Sequence, residues 1–291
     1  MSNTAYKYQA FDAAGKMQQG QLHAESERDA IRLLDRIIDS GRLGVARRAH
    51  WLVKRICRWA EIRDEIEMDP LSGLPCPIEK VRRERVLSHD ELRLLWPAWD
   101  KQGYPFGPMQ RLILLTAVRR NEASEMEWSE LDDPEAPTAW AIPGSRTKNG
   151  RAHRLPLSQP ARDLLRSLPR WGGPHVFSTQ DGHRPVSGFS KAKDRTNRLA
   201  AELADDGEPL AAWGLHDLRR TVRTEMARLG IADAVAEKVL NHTAPGLIET
   251  YNRHAYDAEM ADAFERWGAE LLRIVGEREA EGNVLRIGAA K

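Results

Sequence analysis

Alternating polar and apolar positions near the start of the chain predict a β-hairpin. The segments YKYQAF (6–11) and MQQGQLHA (17–24) have strand-like composition, and turn residues lie between them at 12–16. Ser26 is a good helix N-cap, apolar residues follow it at helical spacing, and Gly41 is placed to end that helix. We therefore expect a small ββα unit over residues 1–44.

A basic amphipathic helix is predicted next, over residues 46–62. Trp51 and Trp59 are available for its apolar face, and we expect the ββα unit to cover them. Gly73, Pro75 and Pro77 then mark a linker.

The rest of the chain has mostly helical periodicity. Ser88 with Glu91 three residues later predicts a helix start, and a strongly apolar helix is predicted over 108–122. Strand-like residues between 138 and 157 surround Asn149 and Gly150, the best hairpin-turn pair in the chain. Further helices are predicted over 158–168, 188–203, 217–229, 232–240 and 257–275. The fold class is thus mainly α with a small antiparallel β-sheet.

Composition excludes several classes of protein. The 291 residues are 41% hydrophobic, which is enough for a sizeable core, and no run of 18 apolar residues occurs. The start of the chain lacks a secretory signal pattern, and two cysteines alone form neither a disulfide framework nor a zinc site. We expect a cytoplasmic protein with no membrane partner and no metal.

Charge is unevenly distributed along a chain of net charge +1. Basic residues number 44, of which 34 are arginine, and the segments 42–58 and 142–155 contain basic residues without acidic ones. Arginine binds phosphate well because its guanidinium group can donate two parallel hydrogen bonds. The pattern fits a basic groove for a polyanion or, equally, a set of solvated helix faces.

Two of the charged clusters follow apolar segments. In TAVRRNE (116–122), Arg119 comes after a buried helix, where it could meet an anion or form an internal salt bridge with Glu122. In HDLRRT (216–221), His216 and Arg219 share a helix face, so they could bind one oxyanion together or serve as a cap and an ion pair.

Two further segments are unremarkable when taken singly. Lys148 in TKNG (147–150) is a hairpin lysine of the kind that is usually only solvated. His242 in LNH (240–242) could be a helix cap, and Tyr251 in ETYNRH (249–254) could be surface packing. Tyr256 is a second tyrosine nearby, which we expect to pack on the domain.

Taken together, the order and spacing of these segments resemble the tyrosine recombinases of the phage integrase family. The family pattern is T-G-x-R-x-x-E, a hairpin lysine, H-x-L-R-[RH]-[ST], L-[GN]-H and a tyrosine nine residues on. Here Arg219 and His242 are 23 residues apart, and Tyr251 follows His242 by nine. One departure is Ala117, which stands where the family usually has glycine.

The resemblance implies a DNA-cleaving site without a cofactor. In that family the tyrosine attacks a backbone phosphate and forms a 3′-phosphotyrosine. Two arginines bind the phosphate oxygens, the lysine protonates the leaving 5′ oxygen, and the two histidines assist. Carried over, the catalytic residues are Arg119, Lys148, His216, Arg219, His242 and Tyr251 as the nucleophile.

The resemblance also implies partners and a domain plan. Double-stranded DNA and a homo-oligomer, a tetramer on DNA, are the expected partners of a site-specific recombinase. We expect a ββα appendage (1–44), a truncated helical core-binding remnant with linker (45–78), a tyrosine-recombinase-like catalytic domain (79–275) and a tail (276–291). An alternative is a recombination-deficient integrase remnant that only binds DNA. Residues 1–44 resemble the N-terminus of type II secretion system F proteins.

Overall fold

The protein is described here from a computed structural model. It describes residues 5–11, 17–23, 32, 35–69, 71–73, 75–76, 78–79, 84–242 and 256–277. The chain divides into two compact units, residues 1–83 and 84–291. The finer domain boundaries expected from the sequence stay predictions.

The first unit contains the expected hairpin. Strands β1 (Ala5–Phe11) and β2 (Met17–His23) are antiparallel, with Ala5 opposite His23. Residues 35–39 are helical, and this helix ends at Gly41, where a φ of +72° suits glycine. The predicted cap at Ser26 lies outside the described residues.

Helix α1 (Leu43–Ile62) forms where the basic amphipathic helix was predicted, beginning three residues earlier. Its residues Ala46 and His50 are buried. Trp51 and Trp59 are each 57% exposed, so the expectation that the ββα unit covers them is wrong. The apolar pattern identifies the face of the helix that could be buried, but it does not identify another element that would pack against that face.

The second unit is a helical body around one hydrophobic core. Its first helices are α2 (His89–Gln102), α3 (Phe106–Thr116) and α4 (Arg120–Ser124). After a small sheet come α5 (Gln159–Arg166), α6 (Phe189–Ala201), α7 (Leu215–Arg228), α8 (Asp233–Val239) and α9 (Asp257–Val275). The mainly helical fold with a small antiparallel sheet is confirmed.

Helix α2 begins as the sequence predicts. Ser88 accepts a hydrogen bond from the Glu91 backbone N–H (3.2 Å), and Glu91 accepts one from the Ser88 N–H (2.8 Å). This reciprocal capping box satisfies two backbone donors that have no partner inside the helix.

Helix α3 is the centre of the second unit. It packs against α2, α5, α7 and α9, and its residues Leu112, Ile113 and Leu114 are fully buried. Trp267 of α9 is also fully buried and donates its ring N–H to the Leu114 carbonyl (2.8 Å). None of the described helices is long and apolar enough to span a membrane.

The predicted helix over 108–122 is wrong as a single element. It divides into α3 and α4, because Ala117 adopts a left-handed backbone (φ +55°) and Arg119 is extended. A left-handed residue cannot continue a right-handed helix.

The small sheet pairs β3 (Ala139–Ile142) with β4 (His153–Pro156), and Ile142 lies opposite His153. The expected two-residue turn at Asn149 and Gly150 is wrong, since residues 143–152 connect the strands. The Thr147 hydroxyl closes this wider loop by donating to the Gly144 carbonyl (3.0 Å) or the Arg151 carbonyl (2.7 Å). Helix α9 packs on β4.

Candidate active site

The break between α3 and α4 fixes Arg119. Its backbone N–H donates to one carboxylate oxygen of Glu122 (2.7 Å), and its Nη1 donates to the other (2.8 Å). Glu122 is 1% exposed, whereas the Arg119 side chain is 22% exposed. A buried carboxylate therefore holds a guanidinium group that still reaches solvent.

Arg219 lies on α7 and is almost fully buried. Its guanidinium donates to the carbonyl of Ala117, at the α3–α4 break, and to the carbonyl of Leu240, at the end of α8. Burial first, and then the positive charge of Arg119, lower its pKa to about 10. The group is still charged at neutral pH.

Both arginines face the same buried carboxylate. Arg119 and Arg219 influence each other electrostatically, and Glu122 acts on Arg219 as well as pairing with Arg119. Glu237, which is more exposed, also acts on Arg219. Two guanidinium groups thus share one buried carboxylate. Such an arrangement attracts an anion with several oxygens.

Lys148 is exposed on a loop that is anchored from two sides. Arg146 makes two hydrogen bonds to Glu130 (2.7 and 2.6 Å). Asn149 donates its amide to the side-chain oxygen of Asn241 (2.9 Å) or to the Asn241 carbonyl (3.1 Å). The loop is thus tied to the residue that precedes His242.

His216 lies in the first turn of α7, one turn before Arg219. Its pKa is lowered by partial burial first, then by the charges of Arg220 and Arg219, and also by Arg119, while Asp217 opposes the shift. A lowered pKa favours the neutral imidazole at pH 7, which can accept a proton.

His242 follows α8 and is exposed. Its Nδ1 lies 2.7 Å from a carboxylate oxygen of Glu237. Burial raises the pKa of Glu237, but hydrogen bonds from His242 and Arg223 outweigh that effect and lower it. Glu237 thus orients the His242 ring by a charged hydrogen bond.

Tyr251 lies outside the described residues. Tyr256 precedes α9 and packs against the core, as expected, with the Lys238 ammonium 5.8 Å from its ring centre. Among the six predicted residues, the structure brings Arg119, Arg219 and His216 into one electrostatic cluster. The Lys148 loop is joined to the His242 segment by Asn149.

The described residues contain no group of three or more metal-ligating side chains. Cys57 and Cys76 are free thiols.

The structure explains two small-residue positions in the integrase pattern. Ala117 stands at the usual glycine of T-G-x-R, and Asn241 at the variable position of L-[GN]-H. Both have a left-handed backbone, with φ of +55° and +46°. Glycine and asparagine adopt that conformation most readily.

Sequence reasoning missed three residues of this region. Arg146 and Glu130 anchor the lysine loop, and nothing in the local pattern identifies them as partners. His153 is buried on β4, near both arginines. The alternation in HRLPL (153–157) could have placed its side chain on the inner face.

Two family models match parts of this chain. The model of the phage integrase family matches residues 85–258. The N-terminal domain of type II secretion system protein F matches residues 1–37. Prophage integrase IntA of Escherichia coli K12 is 29% identical over 161 residues, which are 55% of this chain and 37% of IntA. The matched region thus spans little more than a third of that relative.

Solved structures show the same fold at low identity. A lambda integrase (75–356) dimer bound to a COC' core site has a TM-score of 0.57 and 20% identity, covering 77% of this chain and 81% of that one. The Tn1549 transposon integrase with circular intermediate DNA has a TM-score of 0.54 and 15% identity, covering 81% and 85%. Since the family model matches more than half of its residues, the chain belongs to the phage integrase family.

Proposed function

We propose that the protein is a site-specific DNA recombinase that cleaves and rejoins DNA through a 3′-phosphotyrosine intermediate. The observation that carries this proposal is the arginine pair, Arg119 and Arg219, which share one buried carboxylate. The pair lies in a chain of the integrase family, and residues 79–275 form its catalytic domain in this proposal.

The arginine pair serves as the phosphate clamp. Arg219 is held by two carbonyls and Arg119 by Glu122, so neither has to reorganise when a phosphate arrives. Donors that are already aimed at developing charge stabilise the transition state most, and loss of one typically costs about 10²–10³ in rate.

The covalent step uses Tyr251. Its hydroxyl oxygen attacks the scissile phosphorus, the bond to the 5′ oxygen breaks, and a 3′-phosphotyrosyl bond forms. His216 takes the tyrosine proton, a role that its lowered pKa supports. His242 donates a hydrogen bond to the phosphate.

Lys148 completes the proton balance by protonating the leaving 5′ oxygen. Its exposed side chain on an anchored loop suits a group that must reach a bound duplex. Rejoining reverses these steps. The phosphotyrosine conserves the energy of the phosphodiester, so the proposed reaction uses no cofactor.

The proposed partner is double-stranded DNA, with four copies of the chain assembled on it in the cytoplasm. Solved integrases of the same fold support this partner, including a lambda integrase tetramer bound to a Holliday junction. The basic helix α1 supplies further positive charge for the duplex.

Covalent trapping on a nicked suicide duplex tests the proposal. Cleavage near a nick releases a short fragment, so rejoining fails and the adduct accumulates. We expect a denaturation-resistant protein–DNA adduct from a duplex that carries the DNA sequence at which this recombinase acts. DNA binding without any adduct would instead support the alternative, a recombination-deficient DNA-binding protein.

A further inference from the structure

The ion pair between Arg146 and Glu130 lies at the base of the loop that carries Lys148 and is mostly buried. The side chain of Arg146 is 16% exposed and that of Glu130 is 8% exposed. Arg146 Nε donates to one carboxylate oxygen (2.7 Å) and Nη2 donates to the other (2.6 Å), the two-pronged geometry that fixes a guanidinium group. Exposed ion pairs contribute little, whereas loss of one partner from a buried pair leaves an uncompensated charge. The chain therefore keeps these two segments together.

Glu130 is fixed independently of Arg146. Trp140 of β3 is fully buried and donates its ring N–H to Glu130 (2.9 Å). The third nitrogen of Arg146, Nη1, is buried with no hydrogen-bond partner among the described residues, and it lies 3.9 Å from a carboxylate oxygen of Glu125. Glu130 is therefore a fixed acceptor, and the segment of Arg146 is the one that would move if the pair were lost.

Arg146 also joins the loop to the phosphate clamp. Its Nη2 donates to the backbone carbonyl of Glu122 (3.3 Å), the residue whose carboxylate holds Arg119. Ala123 and Ser124 of α4 are buried as well, so the core holds this helix independently of the loop. Arg146 therefore places the loop against a part of the clamp that does not depend on the loop.

Only Thr147 separates Arg146 from Lys148. Thr147 is buried, its backbone N–H donates to the Gly144 carbonyl (3.2 Å), and its hydroxyl donates within the loop. Asn149 anchors the other side of the lysine. The backbone position of Lys148 is thus set by the ion pair on one side and by Asn149 on the other.

We propose that Arg146 and Glu130 are positioning residues for Lys148, and that their ion pair places this lysine at the leaving 5′ oxygen while Arg119 and Arg219 hold the phosphate. The inference rests on the proposed function, in which Lys148 protonates that oxygen. A general acid contributes about 10²–10⁴-fold to the rate, and a displacement of about 1 Å can remove much of that contribution.

Two variants and one matched control test the inference. Arg146→Lys keeps the charge, but one ammonium group cannot reproduce the two parallel hydrogen bonds to Glu130. The neutral variant, Arg146→Met with Glu130→Gln, removes both charges and keeps an acceptor for Trp140, so it leaves no unpaired buried charge. Arg154→Lys is the control, because Arg154 lies on the same hairpin and pairs with Asp257 (3.7 Å) at an exposed position.

Adduct formation is measured in single-turnover assays on suicide duplexes with a 5′-bridging oxygen or a 5′-bridging sulfur. With oxygen, we expect Arg146→Lys and the neutral variant to react about tenfold more slowly than wild type, because the proton donor is displaced. Sulfur leaves without a proton, so with sulfur we expect rates within about twofold of wild type. Arg154→Lys should match wild type on both duplexes. An equal defect on both duplexes, or a wild-type rate with oxygen, overturns the inference.

A double substitution supplies a second criterion. If the pair acts only through Lys148, adding Arg146→Lys to Lys148→Ala should slow adduct formation no further than Lys148→Ala alone. A further loss of about tenfold, as expected for residues that act independently, overturns the inference.

Hydrogen exchange provides a readout that needs no cleavage. The backbone N–H groups of Thr147 and Gly150 donate within the loop, and they should exchange faster in the neutral variant than in wild type or Arg154→Lys. Unchanged exchange overturns the inference. Absence of an adduct from the wild-type protein on both duplexes contradicts the proposed function alone, and the exchange rates then decide whether the ion pair holds the loop. If Arg146→Lys does not fold, the neutral variant decides.

Discussion

The side-chain amide of Asn149 donates a hydrogen bond to the side chain of Asn241, 92 residues away (2.9 Å). This bond ties the loop of Lys148 to the segment of His242. Two segments whose residues are proposed to act on one phosphate are thereby joined before DNA binds.

Asn149→Ala should therefore mimic a partial loss of Lys148. We expect slower cleavage of an ordinary duplex, because the proton donor is less well placed, and about normal cleavage of a duplex with a 5′-bridging sulfur. The comparison of the two substrates in single-turnover assays checks this prediction. An equal defect on both substrates would show that the bond serves another part of the site.

Arg219→Lys should form the covalent adduct slowly, although it keeps the positive charge. One ammonium group cannot reproduce the fork that bonds the carbonyls of Ala117 and Leu240 while also facing a phosphate. We expect a loss of about 10²–10³ in adduct rate. Arg228→Lys, an exposed change on the same helix, is the matched control and should keep the wild-type rate.

Because the backbone at Ala117 is left-handed, two substitutions at this position should differ in their effect on stability. Ala117→Gly removes backbone strain but adds freedom to the unfolded chain, so its stability should stay within about 1 kcal/mol of wild type. Ala117→Val places a β-branched residue at φ +55° and should cost about 1–3 kcal/mol. Urea unfolding measures both, and a stable Ala117→Val variant would contradict the backbone assignment.

Sequence reasoning succeeded where the determinants are local. Ser88 and Glu91 are three residues apart, and their capping box formed as predicted. The break at Ala117 could not be predicted from the local pattern, because alanine favours helix and apolar residues lie on both sides of the break. The hydrogen bond made at the break comes from a residue far away in the sequence, because Arg219 donates to the Ala117 carbonyl from 102 residues away.

The same limit applies to His153 and to the tryptophans of α1. The inward position of His153 follows from strand alternation, but the charges around it come from α4 and α7. The apolar face of α1 is evident in sequence, yet Trp51 and Trp59 remain exposed. Periodicity determines which residues share a face and leaves the partner of that face undetermined.

Stability should fall in mild acid partly because of His153. Its pKa is about 4 in the folded chain and 6.5 in the unfolded chain, so between these values the unfolded state binds the proton. The stabilising effect of the neutral buried ring is complete above pH 6.5 and is lost progressively toward pH 4. Binding of this one proton changes the free energy of unfolding by at most about 1.4 kcal/mol per pH unit.

Urea unfolding from pH 7 down to 4.5 checks that contribution. His153→Gln should show a shallower fall in stability than wild type, because it has no proton to bind. His183→Gln, at an exposed position, should keep the wild-type slope. Parallel curves for wild type and His153→Gln would mean that the pKa of His153 is the same in the folded and unfolded chains.

The most direct test of the account compares two tyrosines on one suicide duplex. Tyr251→Phe removes only the hydroxyl oxygen that is proposed to attack the phosphate, whereas Tyr256→Phe alters a ring that packs against the core. The account predicts that Tyr251→Phe binds DNA with about wild-type affinity and forms no covalent adduct, while Tyr256→Phe still forms it. An adduct from Tyr251→Phe, or its loss only in Tyr256→Phe, would contradict the account.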